Sequence, residues 1–123
     1  MRCDGHDFFC GLTFPIGDAC CSLIVGGWSG PVVGLSCIDG RDAAENSTTR
    51  YRKFESDRWY RVRLRVTAAR IEAWIDNEPF VNLATEGHQL AVRAEVIASQ
   101  PFGIASWRTT ARVRNIELCT LPR

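Results

Sequence analysis

The sequence predicts an all-β fold, an antiparallel sandwich of two sheets. Residues 60–66 alternate strictly, with apolar side chains at the even positions and arginines at positions 61, 63 and 65. A period of two over seven residues is typical of a strand with one face toward solvent. The alternation resumes at Ile71, Ala73 and Ile75, and residues 76–79, Asp-Asn-Glu-Pro, are typical of a turn. These observations predict a meander of antiparallel strands.

The same patterns place strands along the whole chain. We expect them near residues 8–14, 21–25, 32–38, 59–66, 71–76, 79–83, 90–96, 102–107 and 111–118. In the last of these the apolar positions change phase between Val113 and Ile116, which predicts a β-bulge near residues 114–115. Residues 39–57 form a long polar connection that begins with one turn capped by Asp42. No helix of normal length is expected.

Composition limits the classes of protein to consider. The chain has 123 residues, 46% of them hydrophobic, and a formal net charge of +1, which is typical of one globular domain with a real core. Because 15 basic residues are offset by 14 acidic ones, we expect neither a nucleic-acid partner nor an anionic membrane. No apolar run reaches the length of a bilayer span, no signal-peptide core is present, and the compartment stays open.

Six cysteines are too few for a disulfide-dense scaffold, and buried apolar roles suit most of them. A bridge between Cys10 and Cys20 across a hairpin is the alternative. Cys3, His6 and Cys10 superficially suggest zinc, but no second spaced pair completes four ligands, so no metal is expected there. His6 and His88 remain candidates for acid, base or ligand roles. The triplet at residues 46–48, Asn-Ser-Thr, is a glycosylation sequon.

The best acidic cluster is Asp39, Asp42 and Glu45. Glycoside cleavage uses one carboxyl to protonate the leaving oxygen and often a second one about 5–9.5 Å away to activate water or attack. The three residues are therefore candidate catalytic groups. Calcium is the alternative use of their oxygens, although the loop lacks the spacing of a calcium loop, and a solvated, capped loop is the third interpretation. No other cofactor is expected.

Two tryptophans are candidate platforms for a sugar ring. Trp28 lies in the turn-rich segment 26–31, and Trp74 lies on the polar face of its strand beside Arg63 and Arg65. Aromatic planes pack on the C–H faces of sugars while arginine bonds their hydroxyls, a role suited to Arg50. The alternative for Trp74 is an arginine stack that only covers the sheet.

The motifs resemble a known family. Trp59 with Val62 and Leu64, the turn Asp76-Asn77, and the closing segments 102–104 and 113–118 are similar to the concanavalin A-like jelly rolls, most closely to the 3-keto-disaccharide hydrolase family. The resemblance covers most of the chain and implies a jelly roll with a carbohydrate partner. Members commonly carry an acidic residue in the strand that matches residues 21–25, and this chain has none there.

Three functions follow from these observations. A sugar-directed domain related to the 3-keto-disaccharide hydrolases is favoured, a non-catalytic carbohydrate-binding module is the second reading, and a structural or protein-interaction module is the third. The chain begins almost at the strand 8–14, so we expect one sandwich domain that lacks its opening strands or belongs to a larger chain. A sheet edge left uncovered predicts a homodimer or poor solubility.

Overall fold

The computed structural model describes residues 1–5 and 10–121, and most of its regular structure is β. The strands are β1 Arg2–Gly5, β2 Cys10–Ile16, β3 Ala19–Gly27, β4 Val32–Ser36, β5 Arg50–Tyr51, β6 Val62–Val66, β7 Arg70–Ile75, β8 Glu78–Ala84, β9 Gly103–Ala105 and β10 Thr109–Ala111. One 3₁₀ helix, Ala94–Ser99, lies between β8 and β9.

All strand pairs are antiparallel, and they form three sheets. The five-stranded sheet has the order β5-β4-β3-β2-β9, the three-stranded sheet has the order β6-β7-β8, and β1 pairs with β10 in a two-stranded sheet. The prediction was an all-β antiparallel fold, and its coarser form, a mostly β fold with antiparallel sheets, is confirmed. The prediction of two sheets is wrong for the described residues, because the short strands β1 and β10 pair with each other rather than with either large sheet.

β2 and β3 form the longest hairpin, with Cys10 opposite Val25 at one end and Ile16 opposite Ala19 at the other. Gly17 adopts a φ of 57° in the turn, in the left-handed region that glycine enters without strain. This register excludes a Cys10–Cys20 disulfide. Cys20 lies opposite Pro15, about 17 Å along the strand from Cys10, whereas a disulfide joins Cα atoms within about 7 Å.

The main core lies between the five-stranded and three-stranded sheets. Leu23 and Leu35 from one sheet and Ile71 from the other are all 0% exposed. In β7 the burial pattern alternates, so Ile71, Ala73 and Ile75 point inward as predicted. The neighbouring Val62, Leu64 and Val66 are half-buried at the edge of the core. The alternation that predicted the fold class is therefore confirmed by burial.

A second, small apolar cluster lies on the outer face of the five-stranded sheet. It joins Ile24 and Val32 of the sheet with Ala43 of the connection after β4, and Trp28 packs against it. The connection approaches β4 so closely that a Cβ on Gly34 would lie 3.1 Å from Thr48 Oγ1 and 3.2 Å from the Ala43 carbonyl oxygen. Glycine at position 34 therefore lets this connection lie flat on the sheet.

The prediction of a strand at residues 90–96 is wrong. Leu90 forms only an isolated bridge with Ile38, and Ala94–Ser99 is a 3₁₀ helix with no buried residue. The phase of the apolar positions changes at Val96-Ile97, and such a change can mark a helical turn as well as an irregular strand.

The strand and bulge predicted at 111–118 are wrong as well. β10 ends at Ala111, and beyond it Arg112 N–H donates to the Met1 carbonyl oxygen at 2.8 Å. Residues 112–121 have no regular structure, and Val113, Ile116 and Leu118 are exposed. Alternation makes a segment suitable for a strand, but the described residues provide no neighbouring strand for this one.

The expected homodimer stays a prediction.

Other strand bounds differ at their ends. The strand predicted at 59–66 begins at Val62, β4 ends at Ser36 rather than at residue 38, and 102–107 shortens to β9. The prediction missed β1, β5 and β10, each four residues or shorter. Residues 8 and 9 of the first predicted strand lie outside the described residues, as does His6. No helix in the described ranges is long and apolar enough to cross a membrane.

Truncation of the core at Leu23 tests the packing of the two large sheets. Leu23→Ala removes a side chain that is 0% exposed, and we expect it to lower the free energy of unfolding by about 2–5 kcal/mol. Leu118→Ala, the same change at a side chain 78% exposed, should cost less than about 0.5 kcal/mol. Urea denaturation of both variants measures the difference, and equal losses would contradict the described core.

Candidate functional site

Two connections meet beside the five-stranded sheet and pair with each other along residues 37–42 and 88–93, a region termed here the loop seam. Cys37 N–H donates to the Ala91 carbonyl oxygen at 2.7 Å, and Ala91 N–H donates back to Cys37 at 3.2 Å. Asp39 N–H donates to the Gln89 carbonyl oxygen at 2.8 Å. These bonds fix two segments far apart in sequence, and the seam carries most of the polar side chains discussed below.

Asp39 and His88 form a hydrogen-bonded pair in the loop seam. Asp39 Oδ2 lies 2.7 Å from His88 Nδ1, and Asp39 Oδ1 accepts the Gln89 N–H at 2.7 Å. The Gln89 N–H and the His88 ring lower the pKa of Asp39, so this carboxyl is ionised at neutral pH. An ionised carboxylate only accepts hydrogen bonds, so Nδ1 carries the proton and neutral His88 keeps Nε2 as an acceptor.

The lowered pKa of Asp39 also determines how the stabilising contribution of its carboxylate depends on pH. Because the pKa lies below its ordinary value of 3.8, the stabilising contribution of the carboxylate is present above that value. It is lost as the pH falls through the lowered pKa, which confines the effect to strongly acidic solution. The Asp39 carboxylate therefore stays ionised across the neutral range.

Asp42 lies against a second group of side chains, Trp28, Arg93 and Glu95. Arg93 Nη1 is 3.3 Å from Asp42 Oδ2, and Arg93 also binds both oxygens of Glu95 at 3.2 Å. The guanidinium lies 5.5 Å from the centre of the Trp28 ring. Asp42 Oδ1 accepts the Ala44 N–H at 3.0 Å, which confirms the predicted cap of the turn. An aromatic plane thus stands beside two carboxylates and a guanidinium.

Asn46 holds the acidic loop in place. Its Nδ2 donates to the carbonyl oxygens of Leu35 and Asp42, each at 2.7 Å, and lies 3.3 Å from that of Arg41. Its Oδ1 accepts the hydroxyl of Thr48 at 2.6 Å, and that hydroxyl oxygen accepts the Leu35 N–H at 2.9 Å. The sequon amide is therefore an internal brace, and attachment of a glycan would displace these carbonyl partners.

The structure brings some of the predicted site residues together and separates others. Asp39 and Asp42 both lie in the loop seam, and Glu45 follows them on the exposed side of the turn. Arg50 lies on the short edge strand β5, where its Nη1 donates to the Thr49 carbonyl oxygen at 3.2 Å.

Trp74 belongs to a different surface. Its ring lies on the outer face of the three-stranded sheet, with the Arg63 guanidinium 5.0 Å from its centre. Trp28 instead packs against the outer face of the five-stranded sheet. The two tryptophans therefore cannot line one groove, and the arrangement of Trp74 is that of an arginine stack.

A depression of about 360 Å³ opens beside the loop seam. Its lining is mainly apolar and includes Cys20, Ile97, Gln100 and residues 90–92. A volume of this order lies at the lower end of the range of small-ligand pockets.

The cysteines provide no reactive thiolate in the core. Burial raises the pKa of the Cys21 thiol to about 12, so it stays protonated at neutral pH and is a poor nucleophile. Among residues 1–5 and 10–121, no three side chains of His, Cys, Asp or Glu gather into a metal-binding group. Of the candidate zinc ligands Cys3, His6 and Cys10, His6 and the Cys10 side chain lie outside the described residues.

Sequence reasoning missed Arg93, Glu95 and the backbone of Gln89. Arg93 belongs to segment 90–96, for which the pattern predicts a strand that does not form. Its pairing with Asp42 joins positions 51 residues apart. His88 was identified as a candidate acid, base or ligand, but its contact with Asp39 spans 49 residues. No local pattern encodes contacts at such separations, and the signal in the sequence was the polar connection 39–57.

Comparison with known proteins identifies the family. Residues 1–119 match the family model of the 3-keto-alpha-glucoside-1,2-lyase-like domain, also called the 3-keto-disaccharide hydrolase domain. The chain belongs to this sugar-related enzyme family, which confirms the resemblance of its motifs. Searches of curated proteins and of solved structures gave no significant match.

Replacement of Asn46 tests whether its amide holds the acidic loop. Asn46→Asp keeps the shape but exchanges the donating amide for an oxygen that faces the Leu35 and Asp42 carbonyl oxygens. We expect the free energy of unfolding to fall by about 2–3 kcal/mol. Ser47→Ala, at the exposed neighbour, is the control and should change it by less than about 0.5 kcal/mol. Urea midpoints that agree between Asn46→Asp and the parent chain would contradict the bracing role.

Proposed function

We propose that this chain is a single β-sandwich domain of jelly-roll type and that it acts on sugars. In this proposal the loop seam binds a 3-keto-glycoside and acts on it. The family name gives the reaction, a 1,2-elimination from a 3-keto-glucoside. In such a sugar the ketone at C3 acidifies the hydrogen on C2. A base that removes this proton leaves an enolate, which then expels the glycosidic oxygen from C1, and an acid protonates the leaving oxygen. The reaction needs one base and one acid near a single ring.

The observation that carries the proposal is the 2.7 Å hydrogen bond between Asp39 and His88. The carboxylate fixes the imidazole with the proton on Nδ1, which leaves Nε2 with the lone pair that a general base needs. His88 takes the C2 proton in this proposal, and Asp39 orients the ring and stabilises the imidazolium that forms. Asp39 is thus a positioning residue rather than the group that meets the sugar.

The other predicted residues supply candidates for the remaining roles. Asp42 is tied to Arg93 and to its own cap, so it suits hydroxyl binding better than proton transfer. Glu45 is exposed at the edge of the loop and is the candidate acid for the leaving oxygen. Arg50, on an edge strand, is a candidate for orienting hydroxyls at the rim. Trp28 offers an aromatic plane beside Asp42 and Arg93.

Turnover of a 3-keto-disaccharide by the chain and its variants tests the acid–base pair. His88→Gln removes the base and Asp39→Asn removes its orienting carboxylate, and we expect each to lower kcat by about 10²–10⁴-fold. Asp18→Asn, in the exposed turn after β2, is the matched control and should retain full activity. Release of the second sugar, followed with time, is the measurement. Turnover that survives both replacements would contradict the assignment.

A second candidate function is carbohydrate binding without catalysis. It is favoured by the half-buried Trp28, whose turn brings the ring to the polar groups Asp42, Arg93 and Glu95. These groups can bond sugar hydroxyls while the ring packs on a C–H face. In this case the seam binds a glycan and leaves it intact.

A pair of tryptophan replacements separates binding from turnover. Trp28→Ala should weaken glycan binding about tenfold or more, because it removes the stacking plane. Trp107→Ala is the matched control, since Trp107 also carries a stacked arginine, Arg108, at 5.7 Å and is 54% exposed. Glycan-array binding followed by titration calorimetry measures the loss. Equal losses in both variants would count against Trp28 as the platform, and a chain that neither binds nor cleaves sugars would be a structural or interaction module.

A further inference from the structure

The outer face of the three-stranded sheet carries four arginines, Arg61, Arg63, Arg65 and Arg70, termed here the arginine face. The register places Arg63 opposite Trp74, Arg65 opposite Glu72, and Arg70 opposite Ala84 at the far side of β7. All four arginines are exposed. Because side chains alternate along a strand, Arg61, Arg63 and Arg65 project on one side at intervals of about 6.6 Å.

None of these four guanidinium groups forms an ion pair with the carboxylates in residues 1–5 and 10–121. Arg70 donates to the side-chain oxygen of Asn82, and Arg63 lies over Trp74. The nearby Asp76 carboxylate is engaged by Arg52 at 3.5 Å and by Arg58 at 3.4 Å. The cations of this face are therefore not neutralised within the described molecule.

The arginine face concentrates the positive charge of the chain. Four of the 15 basic residues lie on it, with Glu72 among them and Asp76 at the end beside Arg61, although the whole chain has a net charge of only +1. A shallow depression of about 250 Å³ lies at its end and is lined by Arg65, Thr67, Ala69, Arg70 and Glu72. The near-neutral composition thus conceals a surface with a strong local field.

We propose that the arginine face binds the chain of an acidic polysaccharide through its carboxylates. Guanidinium groups pair with carboxylates through two parallel N–H donors, and a flat row of them matches charges repeated along a polymer. The site is separate from the loop seam, which lies beside the other sheet, and it does not depend on the proposed reaction.

The surface fits a polysaccharide better than it fits nucleic acid or a lipid bilayer. Single-stranded nucleic acids bind by stacking successive bases on several aromatic rings, and Trp74 is the one ring that the strand register places among these arginines. The large apolar side chains that are exposed in the described residues all lie outside the three-stranded sheet. The described part of this face therefore has no row of aromatic rings for successive bases and no exposed large apolar side chain to insert into a membrane. Membership of a sugar-related enzyme family favours the same partner.

Binding of polygalacturonate by the whole chain tests the proposal, with neutral dextran as the uncharged comparison. The double variant Arg61→Ser/Arg65→Ser should weaken polygalacturonate binding about tenfold, and higher salt should weaken binding of the parent chain. Lys53→Ser/Arg112→Ser removes the same charge from exposed positions outside the three-stranded sheet and should change binding less than about twofold. Circular dichroism and thermal unfolding confirm that both variants stay folded.

Three results would overturn the assignment. One is the absence of polygalacturonate binding by the parent chain at low salt. Another is an equal loss in the two double variants, which would indicate attraction by net charge alone. The third is tighter binding of single-stranded DNA than of polygalacturonate, lost in Arg61→Ser/Arg65→Ser, which would assign the face to nucleic acid. Turnover of a 3-keto-disaccharide is measured separately, so failure of this proposal leaves the proposed reaction untouched.

Discussion

The packing of the inner faces of the two large sheets is the constraint on which the other features depend. Each strand directs alternate side chains into the core, so Leu23, Leu35, Ile71 and Ile75 bury together while their neighbours in sequence project outward. Everything that can meet a ligand is thereby confined to the outer faces, the connections and the ends. The loop seam lies beside one outer face, and the arginine face occupies the other.

The connections gain their order from close contact with this core. Gly34 lets residues 43–48 lie against β4, and Asn46 then ties their carbonyl oxygens to the strand. The second connection is held by the first through Cys37 and Ala91. The pair Asp39–His88 therefore rests on a chain of contacts that begins in the sheet, which explains how an exposed site keeps a defined geometry. Preorganisation of this kind lowers the cost of orienting catalytic groups during a reaction.

Sequence reasoning succeeded where local alternation and a pairing partner coincide. The faces of β6 and β7 follow from a period of two, and burial confirms them. The turn at Asp76 and Asn77 follows instead from its residue types, and both residues adopt a positive φ. Sequence reasoning failed at residues 111–118, where the pattern suits a strand but no strand in residues 1–5 and 10–121 pairs beyond Ala111. It also failed at 90–96, where a change of phase marks a 3₁₀ helix. Of the site, the acidic loop, Trp28 and His88 were found as candidates. Their partners were not, because the bonds from Asp42 to Arg93 and from Asp39 to Gln89 join positions 51 and 50 residues apart.

Amide hydrogen exchange measures most directly whether a packed core holds an ordered seam. The described bonds predict the slowest exchange in β3 and β7, clear protection at Ala91 and Gln89, and none at residues 113–121. The protection of Gln89 is the decisive value, since its N–H bonds only the Asp39 carboxylate at 2.7 Å. Exchange at Gln89 and Ala91 as fast as at residues 113–121, with β3 and β7 still protected, would contradict an ordered loop seam.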